Sequence, residues 1–201
     1  MPILSTVTGS FFAGRRASAY GGGGGGGGSG SSPDISSASF ANSFDTATQA
    51  TEPTDLWFND DGTKVFVADN SSNTIYRYGL TTGWDISTAS YDSVSYSFSG
   101  STVSCHGFTF NNDGTSFYIM GNDQGGTTPD NIFQFDMSSA YDIANASLVG
   151  FGATGNASNV AVDNTPHKLM FNNNGTKIYI IGSQNDTVYQ FSLSSAYDIT
   201  T

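Results

Sequence analysis

The chain has 201 residues, 37% of them hydrophobic and 13% aromatic, enough apolar surface to offset chain entropy in one domain of ordinary size and to exclude disorder of the whole. Charged residues are only 11%, with 17 acidic against 6 basic and a formal net charge of -11, which argues against nucleic acid as a partner because phosphate contacts need Lys and Arg gathered on one face. Cys105 is the single cysteine, so an intramolecular disulfide is excluded and cysteine usage says nothing of the redox compartment.

In chain order, residues 1–20 come first and differ from the rest. They hold Arg15 and Arg16 and no carboxylate, so every acidic residue lies beyond them. The two parts are therefore expected to meet different partners. Ser5, Thr6, Thr8 and Ser10 interrupt the opening apolar stretch and the arginines follow it, a pattern that argues against a secretory signal. Nowhere do eighteen apolar residues run together, so no membrane span is expected. Residues 21–32 read GGGGGGGGSGSS. A run including Gly21, Gly24 and Gly28 buries no side chain and loses the most entropy on ordering, which predicts a flexible hinge. Close backbone packing in an oligomeric stalk is the other reading of the same run.

From residue 33 onward the chain repeats. Phe-Asn-[Asp/Asn]-[Asp/Asn]-Gly-Thr occurs at Phe58–Thr63, Phe110–Thr115 and Phe171–Thr176, at intervals of 52 and 61 residues. A second motif, an aromatic residue or Pro followed by Asp-Ile, occurs at Pro33, Trp84, Tyr141 and Tyr197. Ala-Ser follows in three copies, as Ala38-Ser39, Ala89-Ser90 and Ala146-Ser147. Inside a unit, Leu56–Phe58, Val65–Val67, Ile75–Tyr78 and Tyr91–Phe98 are short runs rich in β-branched and aromatic residues and bounded by Gly, Asn, Asp and Ser. Such runs predict strands, and helical periodicity is absent. Four short strands in about fifty residues make one propeller blade. The expected fold is all-β: about three antiparallel four-stranded blades, complete or incomplete, over residues 33–201, behind the anchor and hinge.

Turn chemistry accounts for the first motif. Asn59, Asp61 and Gly62, Asn111, Asp113 and Gly114, and Asn172, Asn174 and Gly175 are the residues a bulged hairpin uses, with side-chain acceptors early and a glycine of positive φ at the end. Three units fall short of the four to eight blades of a closed ring. A continuation of the chain, a ring completed between chains, or a last blade closed by residues 33–44 would each resolve this.

The stretch FNDDGTKVFVADNSSNTIYRYGLTTGWDI, with the later FNNDGTSFYIMG, IFQFDMSSAYDI, FNNNGTKIYIIG and VYQFSLSSAYDI, resembles the repeat of β-propeller-like virion proteins of marine bacteriophages. The resemblance covers residues 33–201 and implies a tail-fibre or capsid-appendage protein at the virion surface. On that reading residues 1–20 dock onto other virion proteins through Phe11, Phe12, Arg15 and Arg16, and residues 21–32 are the hinge. The repeat domain then contacts a host-surface glycan or protein or neighbouring subunits, as a homo-oligomer in the particle. An extracellular bacterial adhesion module is the alternative, and a glycan lyase or hydrolase using a propeller rim is a third reading.

Candidate chemistry is sparse, and no catalytic residue, metal site or cofactor is expected. His106 and His167 share one repeat position, held by Thr54 in the first unit, and are expected on one rim but well apart. Cys105 and His106 suggest a nucleophile and base, yet neighbours on an extended chain point to opposite faces. The Asn/Asp turns suggest calcium, but the third copy is all amide at Asn172, Asn173 and Asn174 and lacks the charge calcium needs. Asp34, Asp85, Asp142 and Asp198 recur once per unit and read as caps rather than as an acid–base pair. Asn70, Asn145, Asn156, Asn174 and Asn185 begin Asn-x-Ser/Thr triplets, expected by chance in so polar a chain. Trp57 and Trp84 are both ambiguous; Trp57 sits between Leu56 and Phe58 in a strand, where core or inter-blade packing is the default and ligand stacking the second reading.

Overall fold

The computed structural model describes residue 36 and residues 38–102, 104–121, 131–152 and 166–200. The anchor residues Phe11, Phe12, Arg15 and Arg16, the hinge glycines Gly21, Gly24 and Gly28, and the first Asp-Ile motif at Asp34 lie outside them.

Eleven strands form among the described residues: β1 (Pro53–Phe58), β2 (Lys64–Asp69), β3 (Thr74–Leu80), β4 (Ala89–Ser97), β5 (Gly107–Phe110), β6 (Ser116–Gly121), β7 (Asn131–Asp136), β8 (Ser147–Gly152), β9 (Pro166–Phe171), β10 (Lys177–Gly182) and β11 (Thr187–Ser192). They make three antiparallel meanders, β1-β2-β3-β4, β5-β6-β7-β8 and β9-β10-β11. The chain is a propeller-type array of three blades. Inner strand β5 lies between β1 and β9, and successive sheets stack face to face.

Side-chain alternation along the strands explains the stacking. In β2, Val65 and Val67 face one way while Phe66 and Ala68 face the second blade; in β6, Phe117 and Ile119 turn back to the first blade while Tyr118 and Met120 turn to the third. The middle blade is covered on both sides, so all six residues of β6 are buried. Strand β10 instead alternates, with Ile178 and Ile180 buried and Ile181 exposed. Each large apolar side chain so covered contributes about 1.5–3 kcal/mol, which makes the blade-to-blade faces, rather than any single sheet, the core of the fold. The first seam is largely aromatic: Trp57 lies 4.6 Å from Phe110 and 5.7 Å from Tyr141, and Phe117 stacks on Phe135 at 4.8 Å.

The third blade has three strands among the described residues, so the array is incomplete there, as the repeat count allowed. Of the three ways to complete it, closure of the last blade by residues 33–44 is not what the described part of that segment, residues 38–44, does. They form no strand; Phe44 instead meets Tyr78 edge to face at 5.1 Å and Ala50 is buried beside Val65 and Val67, both on the outer face of the first blade. The reason is geometric. The last blade is two positions away along the array, out of reach of a segment that runs directly into β1.

Candidate functional site at the two ends of the inner strands

At the exit of each inner strand the recurring residues build one device three times. Asn59, Asn111 and Asn172 each accept a hydrogen bond at Oδ1 from the backbone N–H five residues on, at 2.8, 3.0 and 2.9 Å. Each donates from Nδ2 to the Thr hydroxyl four residues on. Asp61, Asp113 and Asn174 accept from the N–H and the hydroxyl of that same threonine. An amide oxygen replaces a carboxylate in the third copy without loss of a bond, so the position needs an acceptor and not a charge. The Thr63 hydroxyl and amide hold Asp61 below the usual carboxylate range. Burial pushes Asp113 up, but the hydroxyl and amide of Thr115 outweigh it and the net shift is downward.

Gly62, Gly114 and Gly175 end these turns at φ of +70°, +71° and +69°. Their carbonyls accept from the backbone N–H of Trp84, Tyr141 and Tyr197, whose rings lie flat over the glycines. A Cβ on Gly62 would sit 2.5 Å from Trp84 Cδ2, and one on Gly114 or Gly175 would clash with ring carbons of Tyr141 or Tyr197. The three aromatic residues themselves adopt φ of +66°, +64° and +61°. The two sequence motifs are thus halves of one structure: a left-handed aromatic residue roofing a left-handed glycine, a pairing only glycine permits. Asp85 and Asp198 then accept from the backbone N–H two residues on, whereas Asp142 makes no such bond and accepts from the Asn145 side chain.

At the entrance of the inner strands stand Thr54, His106 and His167. The expectation that the histidines are well apart is corrected here. Gly107 carries no side chain and lets β9 approach, so that a Cβ there would be 3.2 Å from the His167 carbonyl. His106 donates its N–H to the Met120 carbonyl and its ring Nε2 lies 3.2 Å from Ser104 Oγ. Burial, and then the neighbouring His167, hold its imidazole below the ordinary value.

Cys105 is fully buried, and burial followed by the Asp55 carboxylate pushes its thiol up to about 12. A thiol so placed is a packing group rather than a nucleophile. Its backbone N–H donates to Asn70 Oδ1 at 2.6 Å, so that one of the Asn-x-Ser/Thr residues serves the seam between blades. Among the described residues no three His, Cys, Asp or Glu stand together as metal ligands, and no helix is long and apolar enough to cross a membrane.

Three residues that matter here went unread in the sequence. Asp55 and Lys168 occupy the same repeat position on β1 and β9, with Gly107 between them on β5, and Lys168 Nζ reaches Asp55 Oδ1 at 2.7 Å. Asp55 Oδ2 also accepts from the Phe108 N–H at 2.9 Å, so one carboxylate ties the inner strands of all three blades. Opposite charges at one repeat register were the available signal. Arg77 spans the first seam, donating from Nε to Asp92 at 2.7 Å and from Nη1 to the Tyr141 carbonyl at 3.0 Å.

No protein-family model matches the sequence, and none of the curated proteins does. Solved structures similar to it include a candidate 6-phosphogluconolactonase from Bacteroides fragilis, at 15% identity and a TM-score of 0.49 over 70% of this chain and 34% of that one. A Lactobacillus plantarum protein is similar at 15% identity and a TM-score of 0.49, over 71% of this chain and 38% of that one. The β-propeller domain of Cps50 (Swd1) from Myceliophteria thermophila is similar at 10% identity and a TM-score of 0.45, over 71% of this chain and 40% of that one. The chain spans less than half the length of each of these structures.

Proposed function

We propose that this chain is a non-enzymatic structural appendage of a bacteriophage particle, docked through residues 1–20, hinged at residues 21–32, and displaying its blades for host-surface or subunit contacts. One observation carries the reading: the side chains that recur are spent on one another. Asn59, Asp61, Gly62 and Trp84, with their two sets of counterparts, satisfy turn amides, a threonine hydroxyl and each other, so what the repeat preserves is architecture. The resemblance of that repeat to phage virion proteins supplies the setting.

The composition suits display. A chain rich in Ser, Thr, Asn and Tyr and poor in charge favours hydrogen bonding and stacking against glycans or proteins, and tethering many weak contacts through a flexible hinge raises avidity without new contacts. Mass spectrometry of purified virions should find the protein among particle components, and deletion of residues 1–20 should release it. A protein that is found on bacterial surfaces and never in particles would replace this reading with the adhesion module. Retention of the deleted form on particles would refute the anchor.

A further inference from the structure

The third exit turn differs from the first two in one functional group. Asp61, Asp113 and Asn174 hold the same position, each followed by a glycine. In all three, Oδ1 accepts from the N–H and the hydroxyl of the threonine two residues on. The distances are 2.9 and 2.6 Å at Asp61, 3.0 and 2.6 Å at Asp113, and 3.2 and 2.7 Å at Asn174. The turn therefore makes the same two bonds to a carboxylate as to an amide. Asn174 is exposed, and what the turn binds is its oxygen, so its nitrogen can be exchanged for oxygen without loss of a bond.

An asparagine before a glycine is open to attack by the next main-chain nitrogen, because glycine has no Cβ to block the approach. Thr176 aims two donors at Asn174 Oδ1, the atom on which charge develops as the Gly175 nitrogen adds to Cγ, and donors so placed stabilise that tetrahedral state. One bond restrains the nucleophile: the Gly175 N–H donates to the Asn172 carbonyl at 3.0 Å. A single neutral bond at an exposed turn has a small net worth and opens readily. The two preceding asparagines are each followed by another asparagine and are better held. Asn172 spends its oxygen on the Lys177 N–H and its nitrogen on the Thr176 hydroxyl. The peptide unit after Asn173 is pinned at its carbonyl by Asn112 Nδ2 and the Tyr197 hydroxyl.

We infer that Asn174 is a site of spontaneous modification, converted in the folded protein to the aspartate that the other two turns carry. The Gly175 nitrogen forms a bond to Cγ. The Cγ–Nδ2 bond breaks, and Nδ2 leaves as ammonia with the proton that the Gly175 nitrogen gives up. Water then adds to the cyclic imide at Cγ, the bond from Cγ to the Gly175 nitrogen breaks, and that nitrogen recovers a proton. One water is consumed and one ammonia released, with no change of oxidation state.

Of the two products of the imide, one refits the turn. Addition of water at Cγ gives aspartate, returns the Gly175 N–H to the Asn172 carbonyl and leaves Oδ1 on Thr176, the arrangement already present at Asp61 and Asp113. Addition at the main-chain carbonyl gives isoaspartate, which routes the chain through Cβ and lengthens it by one carbon. That draws the Gly175 N–H off the Asn172 carbonyl and Gly175 from beneath the Tyr197 ring, where a close fit is required. The Thr176 donors polarise the Cγ carbonyl and direct water to it. The exit ends of the inner strands thus acquire a third carboxylate in repeat register, and the fold loses nothing.

The test incubates the full chain in mildly alkaline buffer, folded and in urea. The tryptic fragment Leu169–Lys177, which carries Asn172, Asn173 and Asn174, is followed by tandem mass spectrometry, and isoaspartate is counted by enzymatic methylation. The folded chain should lose the amide at Asn174 alone, with aspartate in excess of isoaspartate; the chain in urea should show the reverse ratio. The aged folded chain should focus as a more acidic band, and Asn174→Asp should share the urea midpoint of the fresh chain. A folded chain that keeps Asn174 while the unfolded one loses it overturns the inference, because the turn then shields the site. Isoaspartate in excess in the folded chain, or equal loss at Asn172 or Asn173, overturns it too, because reaction then proceeds from the unfolded chain. An Asn174→Asp chain that melts earlier overturns the claim that the turn takes a carboxylate without cost.

Discussion

Replacing Gly114 with alanine places a methyl group where two constraints coincide, and the cost can be worked from each. The residue sits at φ +71°, where an L side chain costs about 1–2 kcal/mol. The new Cβ would also clash with the ring carbons of Tyr141. That ring is wedged among Trp57, Phe66 and Phe110 at 5.7, 6.2 and 5.6 Å, so it moves only by disturbing the first seam, an overpacking cost of about 1–3 kcal/mol. The sum is about 2–5 kcal/mol, read as a lower urea midpoint at unchanged slope. A double-mutant cycle separates the two contributions. With Tyr141→Ala in place the methyl group has room, so Gly114→Ala should then cost only the backbone share, and the cycle should show a coupling of about 1–3 kcal/mol. Gly100→Ala, with no heavy atom within 4 Å of its added Cβ, is the control and should change stability by less than about 0.5 kcal/mol. Additive effects of the Gly114 and Tyr141 substitutions would refute the claim that the two motifs are one structure.

Other expectations follow from the buried groups. Cys105, fully buried with its thiol pushed up to about 12, should resist disulfide exchange with a thiol reagent at neutral pH until urea opens the seam; fast labelling of the native chain would contradict its placement. His106 has a folded pKa below its unfolded value of 6.5, so the unfolded chain binds more protons between the two. Stability should therefore fall as pH drops from 6.5 toward the folded value and then level off, and His106→Gln should flatten that part of the profile in urea titrations. The lowered carboxyls of Asp61, Asp69 and Asp113 act in a separate window, their contribution being lost as pH falls from 3.8. Tyr78 is fully buried, with a hydroxyl that has no hydrogen-bond partner among the described residues and a pKa pushed up to about 12 by burial, then by Tyr76 and Tyr91. Tyr78→Phe should raise stability by about 1 kcal/mol in thermal or urea melts, because an unpaired buried hydroxyl costs more than its removal.

The blades were legible because their signals are local. The strands of the first unit follow from alternating aromatic and β-branched runs, and the turns from Asn, Asp and Gly in fixed order. What pairs across distance was not legible. Gly62 and Trp84 recur in step but nothing in a linear sequence says that one roofs the other. His106 and His167 were expected apart because adjacent units were taken to hold one repeat position well separated, whereas inner strands crowd together and Gly107 removes the side chain that would have separated them. Asp55 and Lys168 fell outside both motifs, so their meeting through one carboxylate was invisible. The bulge in β4, where Ser93 takes φ 63° and the register shifts between Arg77 and Tyr78, has no glycine to announce it. Residues 33–44 were read as one way to close the last blade, but which blade the described part of that segment covers depends on stacking order.

The account as a whole depends on the sheets being stacked on one another. Nuclear Overhauser spectroscopy on a deuterated sample with protonated aromatic rings tests this directly. Trp57 lies 4.6 Å from Phe110, and Tyr118 lies 4.6 Å from Phe171, so cross-peaks between the rings of each pair are predicted across both seams. Cross-strand peaks within each sheet, with none between Trp57 and Phe110 or between Tyr118 and Phe171, would mean three independent sheets on a string and would contradict the propeller arrangement.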